Sequence, residues 1–523
     1  MTSLITNTND LYDVIIIGAG PAGLSMLSAI HNPDGHLTNA RKRRSLWNRK
    51  LWNKKPSKQM KVCVVDPAGD WMNEWKGRFK SLGIDLLRSP AFATPDYYSN
   101  AAITEYAFKH NRQKELIEME LPRNACALTY GIASEGLMKL AKSKLFSDFC
   151  DDLAKSLPHT FLSGYAKQIN RGNDNGTYDV SISVAGKKNA SVITGKHVVF
   201  ALGAASTPTI PKEVSWIHDC VDAKNPCVVH TFSWKKLNAL QFFNEVIVVI
   251  GGGLSAVQAV LLAKKKGAKR VLHVSRRAIQ TRFYDVSLDW LDPRIAWRTE
   301  KGKKVNNMFE FHNVPKLKRR EFVRKARAGA TVPPRYLELL KKAAKSGHVE
   351  RYVDSIDTAE YFGCGLHGTD RTIHIKFKNS TPPVVANRII LATGAQTSVS
   401  KIQLLKDAIT NFNLPVIDDL PGVDGYLQWG KEQFSVVGNL ALLQLGPDSG
   451  NLSGARRSAE LVANTLGSFD SYLEEGGVHD NFFSAFASES DDSSDDDSDA
   501  SADSTTSCSV ENEFHECDDD DKS

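Results

Sequence analysis

The chain has no redox or disulfide framework. Its eight cysteines, at positions 63, 126, 150, 220, 227, 364, 508 and 517 of 523, include neither a C-x-x-C nor a C-x-x-x-x-C spacing. That excludes a secreted disulfide scaffold and argues against dithiol chemistry. The 14 histidines are scattered without metal-ligand spacing, so no metal site is expected. No run reaches the ~18 apolar residues of a membrane helix. The start, Met-Thr-Ser-Leu-Ile-Thr-Asn-Thr-Asn-Asp, has no charged segment followed by an apolar core. The expectation is a cytoplasmic protein with no membrane span.

What the chain has is length and segregated charge. At roughly 150 residues per domain it holds about three domain-sized units, and 41% hydrophobic residues can fill large cores. The net charge of +6 hides an acidic tail: Ser484 to Ser523 carries 15 acids and one Lys. The remaining 483 residues have 65 basic against 45 acidic side chains, or +20. Such a tail, with Ser490-Asp-Asp-Ser-Ser-Asp-Asp-Asp497, is expected to be disordered, and its serines followed by acids suit acidophilic kinases.

Two segments start βαβ units. Tyr12 to Ile17 leads into Gly18-Ala-Gly20-Pro-Ala-Gly23 and an apolar helical stretch; Val246 to Ile250 leads into Gly251-Gly-Gly253-Leu-Ser255-Ala256 and another. Each is followed by three strand-like stretches and a strand-Gly exit, Ala201-Leu-Gly203 and Ala392-Thr-Gly394. This is a duplication of architecture: α/β, with two Rossmann-like dinucleotide-binding domains. In a G-x-G-x-x-G loop the first Gly makes the turn, the second lets backbone approach a pyrophosphate, and the third permits close helix–strand packing.

The acid expected about 20 residues on is Asp66, 48 residues after Gly18. A basic surface insertion at about 31–60, with Arg41-Lys-Arg-Arg44 and Lys54-Lys55, accounts for the delay, since insertions cost little. The second unit's next strand ends in Arg276-Arg277, and paired guanidinium groups suit a 2′-phosphate. The first site is therefore expected to take FAD and the second NADPH. Basic runs at Arg41–Lys55 and Lys316–Arg327 have the composition of nuclear-localisation or polyanion patches, but no recognition fold accompanies them. Solvated surface is the expectation, with no specific nucleic-acid partner.

The order of these motifs over about residues 11–470 resembles the two-dinucleotide-domain flavoproteins. Gly251–Gln258 with Ser275-Arg-Arg277 is similar to the NADPH loop of class B flavin monooxygenases and N-hydroxylating monooxygenases, and Ala201-Leu-Gly203 with Pro208-Thr-Ile-Pro211 to their inter-domain link. Their F-x-G-x-x-x-H-[ST]-x-x-[YFW] fingerprint is half present, as His230-Thr-Phe-Ser-Trp234; Lys224-Asn-Pro226 replaces the F-x-G half.

The resemblance implies an NADPH domain (211–384) inserted in an FAD domain (1–210 and 385–475). It also implies NADPH-dependent oxygenation, through a C4a-(hydro)peroxyflavin, of a nucleophilic nitrogen, sulfur or carbonyl group. A small-molecule substrate and molecular oxygen are then the partners. Arg88, Ser89 and His230 are the candidate catalytic residues. Trp75 is expected to cover the flavin ring, and Gly438, Asn439 and Asn451 to close the flavin site.

The H-G-containing C-terminal pattern of ornithine hydroxylases is missing, which leaves the substrate open. Two alternatives stand: an NADPH-dependent flavin reductase or oxidase without oxygen insertion, and a non-enzymatic regulatory flavoprotein resembling oxidative-stress-induced growth inhibitors.

Overall fold

The computed structural model describes residues 10–31, 60–118, 139–184, 190–203, 206–220, 225–286, 290, 297–300, 303–362 and 372–466. Most of the basic insertion and all of the acidic tail lie outside the described residues.

Strand β1 (Leu11–Ile17) is an apolar run because both faces are covered, and it ends in the first glycine loop, from which helix α1 (Pro21–His31) departs. Next come β2 (Val62–Asp66), α2 (Asn73–Leu82), β3 (Leu86–Pro90) and α3 (Ser143–Ser156). β4 (Thr160–Ser163), β5 (Tyr165–Arg171), β6 (Tyr178–Ser183) and β7 (Ser191–Phe200) complete the first set. The sheet order is β4-β2-β1-β7-β6-β5, with β4, β2, β1 and β7 parallel and β5 and β6 antiparallel to their neighbours. β1 pairs with β2 so that Ile17 faces Val65. The long insertion thus leaves Asp66 beside the glycine loop, where a short connection would have put it.

The second set repeats this plan. β8 (Val228–His230), β9 (Val246–Ile250), α4 (Leu254–Lys265), β10 (Arg270–Ser275), β11 (Gln280–Thr281), α5 (Lys316–Ala326), β12 (Thr331–Val332), α6 (Pro334–Lys345) and β13 (Val349–Val353) follow in order. β14 (Ile356–Phe362), β15 (Thr372–Phe377) and β16 (Val384–Ala386) form an antiparallel sheet, and β17 (Arg388–Leu391) returns to the centre. The five parallel strands run β8-β17-β9-β10-β13.

β17 therefore belongs to the second sheet, between β8 and β9, and a domain boundary at 384/385 would cut it from its partners. Its fully buried Ile389, Ile390 and Leu391 tie it to that core. The chain then returns to the first sheet, where β18 (Phe434–Val436) pairs with β7 and α7 (Leu452–Leu466) packs on α1. His197 and Ser435, both buried, meet at 2.9 Å across that pairing.

Candidate functional site

The two glycine loops have the same geometry. Gly18 sits at φ +115°, its N–H donating to the Val65 carbonyl at 2.9 Å, and any side chain there would collide with the Ala201 carbonyl. Gly251 sits at φ +148°, its N–H donating to Val274 at 3.0 Å, and a side chain there would collide with the Ala392 carbonyl. Both loops thus turn over the strand that carries the Gly exit. Gly203 and Gly394, at φ +61° and +73°, each leave open space beside them.

In the first loop the third glycine is as constrained, for a Cβ on Gly23 would overlap the Gly18 carbonyl. Gly20 is different: nothing lies within 4 Å of the place its Cβ would take. This is a cradle open on the side where a pyrophosphate would lie, at the start of a helix with Pro at its first position and no acid in its first turn. Asp66 Oδ2 accepts from Ala19 N–H and Oδ1 from Ala68 N–H, both at 2.9 Å. The carboxylate buttresses the loop and stands at the end of β2, where a ribose hydroxyl is read.

In the second loop, buried Ala256 replaces the third glycine and exposed Ser255 occupies the first turn of α4. Arg276 and Arg277 follow β10 and are exposed.

The C-terminal segment closes on the first loop. Gly438, at φ +69°, donates to Ser458 Oγ at 2.9 Å and passes close to Ala22 of α1. Asn439 donates its amide to Thr397 Oγ1, and Asn451, just before α7, donates to Asp448 Oδ1 at 2.9 Å. Both side chains therefore shape the segment.

Ser449 is 1% exposed and its hydroxyl has no hydrogen-bond partner among the described residues. A buried orphan hydroxyl three residues before α7 fits a bound polar cofactor supplying the partner.

Asp448 is buried as well, and burial pushes its carboxyl up to about 6, against the pull of Arg457 and the hydrogen bonds of Ser453 and Asn451. A raised folded-state value means that stability is present below pH 4 and lost as pH rises through 6. The charged carboxylate then costs about 3 kcal/mol at pH 7. Urea unfolding of Asp448→Asn should show a midpoint difference from wild type that moves in the variant's favour between pH 4.5 and pH 7.5. A difference constant with pH would show that Asp448 titrates normally.

Four expected site residues are placed differently. Arg88 spends its guanidinium on the second domain: Nε donates to the Phe283 carbonyl at 3.0 Å, Nη2 to the Arg282 and Tyr284 carbonyls and Thr331 Oγ1, and Nη1 to Asp285 and the Thr331 carbonyl. It is an inter-domain latch whose donors end on the second domain. Ser89 lines a narrow cleft with Arg88, Pro90, Tyr284, Asp285 and Asn451, at the junction of the two domains.

His230 is 1% exposed at the end of β8, its Nδ1 accepting from Phe232 N–H at 3.1 Å, so it is packed in the core beside its own turn. Trp75 stacks on Phe79 at 3.9 Å and leans on Phe146, which places its ring in packing between α2 and α3. Trp234 of the half-fingerprint lies over Gly77 of α2 and donates to Glu74 at 2.9 Å; this motif, too, joins the domains.

The basic run 316–327 is not simply solvated. Arg319, 6% exposed, donates to the carbonyls of Leu443 and His312; Lys316 bonds Val423, Arg320 bonds Asp418 and Thr397, and Arg327 bonds Pro447, all at backbone carbonyls. Arg327 also pairs with Asp285, the carboxylate that Arg88 holds. These contacts are not legible in the sequence because a backbone carbonyl left over by its own element carries no residue type. Among the described residues Cys63, Cys150 and Cys227 are buried and form no disulfide, and burial pushes the Cys63 thiol to about 12 and the Cys150 thiol well up, which disfavours the thiolate at both. No group of His, Cys, Asp and Glu that could hold a metal occurs among the described residues, and no helix among them is long and apolar enough to cross a membrane.

No protein-family model matches the sequence, and no curated protein matches it. Solved structures do resemble it. An ornithine N-hydroxylase of Kutzneria sp. 744, with reduced FAD, NADP+ and L-ornithine, superposes with a TM-score of 0.63 at 13% identity, over 88% of this chain and 100% of that one. The ornithine hydroxylase of Pseudomonas aeruginosa gives 0.61 at 15% identity, over 88% and 99%. The FAD-bound cadaverine monooxygenase of Erwinia amylovora gives 0.60 at 14%, over 88% and 95%. With its duplicated glycine loops, exits and returning C-terminal segment, the chain has the two-dinucleotide-domain fold of the N-hydroxylating flavin monooxygenases.

Proposed function

We propose that the protein is an FAD- and NADPH-dependent monooxygenase acting on a small molecule with a nucleophilic nitrogen. The observation that carries this is the pair of loops of one geometry whose following strands end differently, one in Asp66 and the other in Arg276-Arg277. The amine hydroxylases that share the fold favour nitrogen over sulfur or carbonyl as the atom oxygenated. The FAD domain comprises both sides of the first sheet with the C-terminal segment, and the NADPH domain runs from the link at 206–211 to Gly394.

Gly18, Gly20, Gly23 and the start of α1 would hold the FAD pyrophosphate and Asp66 its ribose, while Gly438, Ser449 and the start of α7 would meet the flavin. Gly251, Gly253, Ser255 and Ala256 would hold the NADPH pyrophosphate, with Arg276 and Arg277 on the 2′-phosphate. Bound FAD supplies hydride acceptance and oxygen activation. The protein's own part is to bind, orient and exclude water, and Arg88 fixes one dinucleotide domain against the other.

The test is to purify the yellow protein, mix it with NADPH without oxygen, and then admit oxygen with candidate amines. Bleaching by NADPH and amine-dependent formation of a hydroxylamine are expected; no bleaching would overturn the reading. NADPH oxidation that gives only hydrogen peroxide with every amine would favour the reductase alternative, to which the replaced F-x-G half points. Arg276→Ala with Arg277→Ala should raise KM for NADPH about 100-fold and leave NADH nearly unchanged, as expected for two charge-assisted hydrogen bonds. Equal loss for both cofactors would refute the 2′-phosphate role.

A further inference from the structure

The two glycine loops differ in one respect. The open side of Gly20 is empty, whereas a Cβ on Gly253, the matching residue of the second loop, would lie 3.0 Å from Ala330 Cβ. Ala330 belongs to a strap between α5 and β12. The strap is anchored at both ends: Arg282 Nη1 donates to the Ala326 carbonyl at 3.1 Å, and Thr331 and Val332 pair with Gln280 and Thr281 of β11. Within it Ala328 and Gly329 both take left-handed backbone, at φ +50° and +73°.

The Arg277 guanidinium lies against Gly329, close enough that any Cβ there would overlap Nη2. The root of Arg277 is fixed separately, for the buried Ser275 hydroxyl donates to the Arg277 carbonyl at 2.8 Å. The arginine is thus held at its backbone by β10 and seated at its head on bare backbone of the strap.

From this we infer that Gly329 is a specificity-determining residue: its missing side chain seats the Arg277 guanidinium where the 2′-phosphate of the nicotinamide cofactor is read. The inference rests on the proposed role of the Arg276-Arg277 pair. It is a positioning role, because Gly329 acts through Arg277. The guanidinium is the far end of a flexible side chain, so Gly329→Ala displaces it without disturbing the fold beyond the left-handed strain of an alanine, about 1 kcal/mol. Gly347 supplies the control: at φ +77° an alanine meets the same strain, but nothing lies within 4 Å to be displaced.

The experiment is calorimetric titration of the FAD-loaded protein with 2′,5′-ADP and with 5′-AMP, which reads the 2′-phosphate without turnover. Gly329→Ala should weaken 2′,5′-ADP about tenfold, the worth of one charge-assisted hydrogen bond. Binding of 5′-AMP should stay within about twofold, and Gly347→Ala should bind both like wild type. Unchanged 2′,5′-ADP binding in Gly329→Ala, equal loss of both ligands, or an equal effect in Gly347→Ala would each overturn the inference. The Arg276→Ala, Arg277→Ala protein separates the levels. If it keeps the preference for 2′,5′-ADP, the reading of the arginine pair has failed; if it loses the preference and Gly329→Ala does not, only the role of Gly329 has.

Discussion

Arg88→Ala is expected to slow flavin reduction by NADPH at least tenfold while reduction by dithionite and the bound FAD content stay as in wild type. The reason is where the guanidinium goes. Its six hydrogen bonds all end on the second domain, at residues 282–285 and Thr331, and Arg88 itself stands on β3 of the first. Hydride transfer needs the reacting atoms held about 3–3.5 Å apart, and a misplacement of 1 Å can cost about 100-fold.

Truncation takes the donor from the acceptors of buried Tyr284 and Thr331, and of the two arginines on Asp285 among the described residues Arg327 stays. Removing the donor to a buried acceptor costs about 1–3 kcal/mol. Arg88→Lys keeps the charge but not the fork, so it should fall between the two in stability and stay slow in reduction. Stopped-flow reduction with both reductants, beside urea midpoints, decides the matter. A variant reduced by NADPH at the wild-type rate would show that the latch does not set the geometry.

The first loop gives the second large effect, because its glycines should fail in different ways. Gly23→Ala drives a methyl group into the Gly18 carbonyl, and backbone on both sides cannot yield, so the protein should lose both FAD and folded yield. Gly20→Ala meets no protein atom within 4 Å. It should fold with apo-protein stability within about 1 kcal/mol of wild type, yet bind FAD at least 100-fold more weakly, because the methyl group fills the space the pyrophosphate needs. Flavin absorbance after purification and thermal unfolding of apo protein separate the two. FAD bound normally by Gly20→Ala would place the pyrophosphate elsewhere.

Much of this was legible in local sequence. The loops could be placed because the glycine spacing itself carries them: Gly23 is required by the Gly18 carbonyl within the same turn, although the clearance at Gly18 and Gly251 is set by the distant Ala201 and Ala392 carbonyls. The offset of Asp66 was legible because an inserted loop leaves the pairing of β1 with β2 intact. The contacts of Arg88 and of the run 316–327 were not legible, for one reason. Residue type fixes what a side chain can donate, whereas its partners lie 100 to 250 residues away, as Thr331 does from Arg88 and Leu443 from Arg319. A run of arginines also has one appearance whether it faces water or turn carbonyls.

By itself the sequence determined a basic, duplicated α/β chain with a glycine loop at the start of each repeat, an acid after one and two arginines after the other, because those features follow from residue type and spacing. The tertiary structure alone decided that β17 serves the second sheet, that Arg88 and the 316–327 run tie the domains together, that His230 is core and that a strap lies over the second loop. Those are juxtapositions of distant segments, and they are set by which buried donors and acceptors must find partners once the two sheets have formed.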